Sequence, residues 1–184
     1  RIVSIADLGK GISVPNDIKN TDGLMTNIPG IPLITFYADC VPLFFLDKEN
    51  KAIAVVHSGW KGTVLKIGAK TIRQMAEVYG TKPGECLVGI GPSIGPECFE
   101  VGQEVADQFA ESFGTRSHII KPMENGKYTV DLWEANKLML MEMGVPENNI
   151  TISGLCTKCR EDLFFSYRRD KGRTGSMSAI MVLR

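Results

Sequence analysis

Two short apolar runs, each leading to a chemically versatile side chain, constrain this chain more than any other feature. The first run covers residues 32–38 and leads to Cys40, and the second covers residues 52–56 and leads to His57. Runs of this length bounded by polar residues or glycine predict buried strands. A short connection through Asp47 and Asn50 precedes the second run, and the strands that it joins should pair as neighbours. This pairing would bring the Cys40 sulfur and the His57 imidazole into one pocket.

A neighbouring cysteine and histidine can act as two metal ligands, or as a nucleophile and its base. The simpler interpretation is packing, because cysteine is among the residues most often buried and a lone histidine often only satisfies local hydrogen bonds. Asp39 stands beside the cysteine and either orients the pair or is an ordinary loop carboxylate. The chain has two histidines, and His118 lies in a polar stretch that indicates a surface position.

The bulk composition excludes several classes of protein. A length of 184 residues suits one domain with its own core. The 21 basic residues balance the 21 acidic ones, so we expect no nucleic-acid partner. Apolar runs fall short of the roughly 20 residues that span a bilayer, so we expect no membrane partner. The odd count of 5 cysteines, widely spaced and without an export pattern, predicts reduced thiols in a cytoplasmic protein.

The order of predicted elements favours a single α+β domain over residues 1–184, with mixed β-sheets in the middle and helices packed outside. We predict strands at 1–5, 32–38, 41–47, 51–57, 85–90, 127–130, 149–153 and 176–183. Helices are predicted at 61–79, 101–112 and 131–143, with Gly80 ending the first and Asp131 capping the last. Residues 7–26 and 156–173 are predicted as loops. Because the first strand would begin at Arg1, we expect part of the domain to precede it.

Two glycine-containing turns follow predicted strands. Gly59 and Gly62 lie between His57 and a helix, where the backbone can approach an anion, although a plain strand-to-helix turn explains them equally well. Residues 91–96 contain two Gly-Pro steps, and such a stiff turn suits the wall of a pocket.

The remaining cysteines carry weaker signals. We interpret Cys98 as packed rather than catalytic. Cys156 and Cys159 form a C-x-x-C pair, but a zinc ribbon needs a second such pair and a thioredoxin-like site needs a different strand and helix context. The sequence therefore favours a local structural role for this pair.

A cationic loop near the end of the chain combines aromatic and basic side chains over residues 164–175. Arginine forks bind phosphate or carboxylate in a bidentate manner, and aromatic faces stack on bases. Arg168, Arg169 and Arg173 are therefore candidate substrate-binding residues. The alternative is a solvated cationic loop without a ligand.

Four motifs in order resemble one family, and the likeness runs over essentially the whole chain. They are A-D-C-V-P-L, H-S-G-W-K-G-T, G-P-S-I-G-P-E-C-F-E-V-G and F-F-S-Y-R-R-D-K-G-R-T-G. The family is the laccase-domain or polyphenol oxidase-like family, now described as multifunctional purine nucleoside enzymes. The older copper-oxidase label fits poorly, because multicopper sites need many histidines.

The resemblance implies a zinc ion held by two histidines and one cysteine. The cysteine corresponds to Cys40 and one histidine to His57. The other histidine belongs to a Q-x-H segment expected before Arg1, and His118 does not match it. Since a tight zinc site needs three protein ligands, we expect weakened or absent metal binding by this chain alone.

The resemblance also implies an activity: phosphorolysis of adenosine, inosine and methylthioadenosine to the free base and a ribose 1-phosphate, with adenosine deamination. Cys40, His57 and Asp39 would then be catalytic, and the three arginines would contact the substrate. Purine nucleoside and phosphate are the expected partners of a monomer. Two alternatives stay open: a Cys40–His57 amide hydrolase that edits peptidoglycan precursors, and a binding module without catalysis.

Overall fold

The fold combines three small β-sheets with four helices in the computed structural model, which describes residues 1–114 and 118–184. No helix in this part of the chain is long and apolar enough to cross a membrane. The strands are β1 (Gly23–Thr26), β2 (Leu33–Tyr37), β3 (Val41–Asp47), β4 (Ala52–Ser58), β5 (Leu87–Ile90), β6 (Glu100–Val101), β7 (Ile120–Pro122), β8 (Tyr128–Val130), β9 (Ile150–Ile152) and β10 (Met177–Met181). The helices are α1 (Trp60–Val64), α2 (Ile67–Tyr79), α3 (Gln103–Phe113) and α4 (Leu132–Glu142).

A five-stranded sheet in the order β1-β4-β3-β5-β9 forms the centre of the fold. Its pairs are antiparallel except for β5 with β9, which run parallel. The strands on either side of Asp47 and Asn50, β3 and β4, pair as predicted, and their register places Pro42 opposite His57. The first apolar run does not pair with β4, because as β2 it pairs with β10 in a separate sheet. The turn of the hairpin is closed by Asp47, whose carboxylate accepts from the backbone N–H (3.0 Å) and the side-chain amide (2.8 Å) of Asn50.

The central sheet is buried on both faces, and β4 shows how. Ala54 and Val56 belong to the larger core, which the helices cover. Ile53 and Val55 point to a second core, covered by the two-stranded sheet of β2 and β10. Because alternate residues of a strand face opposite sides, both sides of β4 must be apolar, which explains its continuous apolar sequence.

The mixed α+β fold is confirmed, while several element boundaries differ from the sequence prediction. Residues 1–5 are not a strand: Ile2 makes a single bridge to Met25, and a 3₁₀ turn follows at Ile5–Asp7. The predicted helix over 61–79 is two helices, because the chain breaks at Lys66, whose φ of 56° is left-handed.

Short strands were also missing from the prediction. β1 lies inside the predicted 7–26 loop, and β6 and β7 pair with β8 in a three-stranded sheet. Strands of two to four residues have no periodicity of their own, so their existence depends on distant partners.

A buried polar triangle fixes the end of β4 against α1 and α4. The Ser58 hydroxyl donates to Asn136 Oδ1 (2.9 Å), and Asn136 Nδ2 donates to Thr63 Oγ1 (3.2 Å). Asn136 Nδ2 also donates to the Leu132 carbonyl (2.7 Å), and all three polar side chains of the triangle are buried. Since Ser58 follows His57 directly, these hydrogen bonds fix the position of the His57 backbone.

We predict that Asn136→Ala lowers the free energy of unfolding by about 1–3 kcal/mol, because the buried Ser58 and Thr63 hydroxyls each lose a hydrogen bond to the amide and the Leu132 carbonyl loses a donor. Urea unfolding followed by circular dichroism measures the change. Asn148→Ala, at an exposed position, is the matched control and should shift stability by less than about 0.5 kcal/mol. Equal stability of the two variants would contradict the structural role of the triangle.

Candidate functional site

Cys40 and His57 lie on either side of Gly59, at the open end of the β3–β4 hairpin. A Cβ atom built on Gly59 would stand 3.1 Å from Cys40 Sγ and 3.6 Å from His57 Cε1. The two side chains are therefore near neighbours, as the sequence predicted. A side chain at position 59 would crowd the sulfur and require a shift of a few tenths of an ångström, so glycine here keeps the space between the two side chains free.

Asp22 orients His57, a contact that the sequence did not indicate. The Nδ1 atom of His57 lies 3.2 Å from Asp22 Oδ1, and the His57 backbone N–H donates to the Asp22 carbonyl (2.7 Å). The Tyr37 ring packs beside the imidazole, with 5.4 Å between ring centroids. A carboxylate on Nδ1 holds its proton there and leaves Nε2 as the nitrogen available to a ligand.

The surroundings of Cys40 disfavour a free thiolate. Burial, together with the negative charges of Asp39 and Asp22, raises the pKa of the Cys40 thiol to about 11. The thiol therefore stays protonated at neutral pH when no cation is close. A bound cation would offset these negative charges and favour the thiolate.

The donor chemistry of Cys40 and His57 fits zinc, which binds cysteine sulfur and imidazole nitrogen. Within residues 1–114 and 118–184, the pair is not part of any compact group of three His, Cys, Asp or Glu ligands. The two residues thus fit as two of the three protein ligands that a catalytic zinc site uses. The third ligand, expected before Arg1, stays a prediction.

Asp39 connects this site to the cationic loop. Its carboxylate is buried and accepts three hydrogen bonds: from Thr157 Oγ1 (2.6 Å), Ser166 Oγ (3.0 Å) and the backbone N–H of Arg168 (2.7 Å). Its backbone is left-handed, with φ of 83°. Asp39 therefore holds the 156–173 loop next to Cys40, and the orienting role predicted for it stays a prediction.

Of the three candidate arginines, Arg169 forms the most hydrogen bonds within the protein. Arg169 binds the Asp170 carboxylate through Nε (2.9 Å) and Nη2 (3.1 Å). It also donates to the carbonyls of Thr157 and Phe164, both at 3.1 Å. These contacts use the N–H groups that a substrate would need. Arg169 therefore stabilises the loop rather than offering its donors to a ligand.

Arg168 donates some of its side-chain hydrogen bonds to the protein, whereas Arg173 donates none to the described residues. Nη1 of Arg168 donates to the Glu100 carbonyl (2.9 Å) and the Cys98 carbonyl (3.4 Å), and the guanidinium lies 5.4 Å from the centroid of Phe99. Arg173 is exposed, and its guanidinium forms no hydrogen bond or ion pair with the part of the chain that is described. Arg173 is therefore the candidate with all of its donors available for a ligand.

A cavity of about 690 Å³ opens beside His57. Its wall includes Asp22, Thr35 and Phe36, together with part of the segment before β1. A volume in this range accommodates a small organic molecule. His57 itself lines this cavity.

A second cluster brings Cys98 together with the C-x-x-C pair of Cys156 and Cys159. The sulfur atoms of Cys98, Cys156 and Cys159 all lie within 4.8 Å of one another. Cys98 and Cys159 are 61 positions apart in the chain and 3.4 Å apart at Sγ. The C-x-x-C pair was visible in the sequence, and one further cysteine completes a set of three sulfur ligands. The contact between the two loops that brings Cys98 to this pair was not predictable from the spacing of the cysteines.

We predict that Asp39→Asn destabilises the 156–173 loop, because an amide nitrogen replaces one accepting oxygen and then faces either the donor of Thr157 or the donors of Ser166 and Arg168. The free energy of unfolding should fall by about 1–3 kcal/mol, and hydrogen exchange at the Arg168 amide should become faster. Asp162→Asn, at an exposed carboxylate of the same loop that binds Arg160, is the control. Unchanged exchange at Arg168 would contradict the connecting role of Asp39.

Comparison with known proteins identifies relatives over nearly the whole chain. The chain is 38% identical over 183 residues to purine nucleoside phosphorylase YlmD of Bacillus subtilis, covering 99% of this chain and 66% of the relative. It is 36% identical over 161 residues to adenosine deaminase RL5 from an unknown prokaryotic organism, covering 85% of this chain and 61% of the relative. The chain thus spans about two thirds of the length of these curated relatives.

Solved structures share the fold. The Bacillus licheniformis hypothetical protein YfiH superposes with a TM-score of 0.94 at 34% identity, covering 100% of this chain and 70% of that one. YlmD from Geobacillus stearothermophilus gives a TM-score of 0.91 at 36% identity, covering 100% and 68%. The sequence profile of one family matches residues 2–184. The chain therefore belongs to the family described as multi-copper polyphenol oxidoreductase laccase.

Proposed function

We propose that this chain forms the larger part of a zinc-dependent purine nucleoside phosphorylase that also deaminates adenosine. The substrates are adenosine, inosine and methylthioadenosine with inorganic phosphate, and the products are the free base and a ribose 1-phosphate. The observation that carries the proposal is the bonding of Asp39, which holds a cationic loop beside the Cys40–His57 pair. The names of the relatives support the same substrate class.

The anion is assigned to Arg173. In phosphorolysis, a phosphate oxygen bonds to C1′ of the sugar while the bond from C1′ to the purine nitrogen breaks, and the departing base takes up a proton. The phosphate must therefore be held close to the sugar, which a guanidinium fork does by two parallel hydrogen bonds. Among the described residues Arg173 has no hydrogen-bond partner for its guanidinium, whereas the donors of Arg169 are bonded within the loop.

The base is assigned to the aromatic side chains of the same loop. Phe165 is 50% exposed and Tyr167 is 62% exposed, so each offers ring surface to a ligand. A purine has a large apolar face and stacks on such rings. Phosphate and base contacts would then both come from the loop that Asp39 holds in place.

The activation of water is assigned to a metal site formed by Cys40 and His57, with Asp22 orienting the histidine. Zinc bound by Cys40 and His57 would supply a Lewis acid that activates water at neutral pH. Asp22 holds a proton on His57 Nδ1 and keeps Nε2 directed to the ligand. In deamination, water adds to the purine ring at C6 and ammonia leaves, so this activity places the purine beside the Cys40–His57 pair.

No observation favours the alternative amide hydrolase. A nucleophilic cysteine needs a lowered pKa, whereas burial and two carboxylates raise that of Cys40. The binding-module alternative predicts a higher melting temperature with nucleoside and no turnover, so the assays below separate it from an enzyme.

We predict that Cys40→Ala in the full-length protein lowers phosphate-dependent release of adenine from adenosine by at least about 100-fold, because a metal ligand is lost. Product identification by mass spectrometry and zinc content of the purified protein measure the two effects. Cys86→Ala, in the main core, is the control and should keep both activity and zinc. Full activity of Cys40→Ala would contradict the assignment of the site.

A second variant tests the phosphate contact. Arg173→Ala should raise the KM for phosphate by about 10- to 100-fold, since one charge-assisted contact contributes about 1.5–3 kcal/mol. The KM for the nucleoside should change much less. Arg73→Ala, at an exposed arginine of α2, is the control. If both variants leave the phosphate KM unchanged, Arg173 is not the anion contact.

A further inference from the structure

The three-cysteine cluster is separate in its ligands from the Cys40–His57 pair, and the proposed reaction does not use it. We propose that Cys98, Cys156 and Cys159 form a second metal site, which binds a thiophilic ion of the Zn²⁺ type through three sulfur atoms. The site would join the turn after β5 to the 156–173 loop.

The spacing of the sulfur atoms fits a metal ion. Zinc–sulfur bonds of about 2.3 Å in a tetrahedron place the sulfurs about 3.8 Å apart. The three Sγ atoms lie within 4.8 Å of one another, and Cys98 Sγ is 3.4 Å from Cys159 Sγ. Shifts of less than about 1 Å would therefore bring all three to ligand distance.

The backbone around Cys156 is already arranged to support a thiolate. The Gly95 N–H donates to Cys156 Sγ (3.2 Å). Backbone donors of Lys158 and Cys159 face the same sulfur. A C-x-x-C turn whose sulfur accepts backbone N–H groups supplies two ligands from one short segment.

The loops that carry the three ligands are held together independently of any metal. The Thr157 N–H donates to the Ser93 carbonyl (3.0 Å), and the Ser93 N–H donates to the Leu155 carbonyl (3.2 Å). The indole of Trp133 donates to Ser93 Oγ (2.6 Å). The ligands are thus brought together by the fold, which reduces the ordering cost of binding an ion.

The open side of the cluster supplies the remaining position. Cys159 is exposed and Cys98 and Cys156 are half-buried, so water can complete the coordination. Arg168 donates to the Cys98 carbonyl, and its positive charge offsets part of the excess negative charge of three thiolates around one divalent ion. The metal would also stiffen the loop that carries Arg168.

The test uses reduced full-length protein stripped of metal and titrated with Zn²⁺, with metal content measured after desalting. The Cys40→Ser variant removes the first pair as a zinc site, so the cluster should still retain one Zn²⁺ per chain. Adding Cys98→Ser or Cys159→Ser to that background should lower the affinity at least tenfold. Adding Cys86→Ser, the control in the core, should leave it unchanged.

Co²⁺ gives a second readout that does not depend on activity. Thiolate-to-cobalt charge-transfer absorption should form in the Cys40→Ser variant and disappear when Cys159→Ser is added. Cys159 is exposed, so its replacement should leave the far-ultraviolet circular dichroism unchanged, and a folding failure can be recognised. Equal Zn²⁺ affinity with and without the cluster, or a Cys98–Cys159 disulfide with no metal uptake after reduction, would overturn the proposal.

Discussion

The buried carboxylate of Asp39 is the interaction on which the site depends. A charge removed from water is costly unless hydrogen bonds replace its hydration. Here three donors replace it, and they come from Thr157, Ser166 and Arg168, at least 118 positions away in the chain. The 156–173 segment leaves large apolar side chains such as Leu163, Phe165 and Tyr167 exposed, so the hydrogen bonds to this carboxylate, rather than apolar burial, hold the loop in place.

The same residue lies next to Cys40, and this has a chemical consequence. The Asp39 backbone is left-handed, which costs a non-glycine residue of order 1 kcal/mol, and its three hydrogen bonds offset that cost. Burial raises the pKa of the Cys40 thiol, and the negative charges of Asp39 and Asp22 raise it further. One carboxylate thus positions the cationic loop and makes the neighbouring sulfur better suited to a cation than to free nucleophilic chemistry.

Local patterns determined how much of this could be predicted from the sequence. The β3–β4 hairpin, the Asp131 cap of α4 and the left-handed Gly80 after α2 follow from apolar runs, a capping side chain and a glycine, and all are present. Because the hairpin was predictable, so was the proximity of Cys40 and His57.

Contacts between distant segments were not predictable. The Asp22–His57 contact spans 35 positions and the Cys98–Cys159 contact spans 61, and neither has a periodic signal. Likewise, arginines 168, 169 and 173 look equivalent in the sequence, while hydrogen bonds to loop carbonyls and Asp170 distinguish Arg169 from Arg173. Hydrogen bonds of this kind depend on the folded conformation of the loop, which the sequence pattern does not specify.

A crystal structure of the full-length protein with zinc, phosphate and a slowly cleaved inosine analogue tests the central claim most directly. Anomalous scattering at the zinc edge should locate an ion on Cys40 Sγ and His57 Nε2, with phosphate on the Arg173 guanidinium and the purine on the same side of the loop. A nucleoside bound away from Cys40 and His57, with no zinc on this pair, would contradict the account.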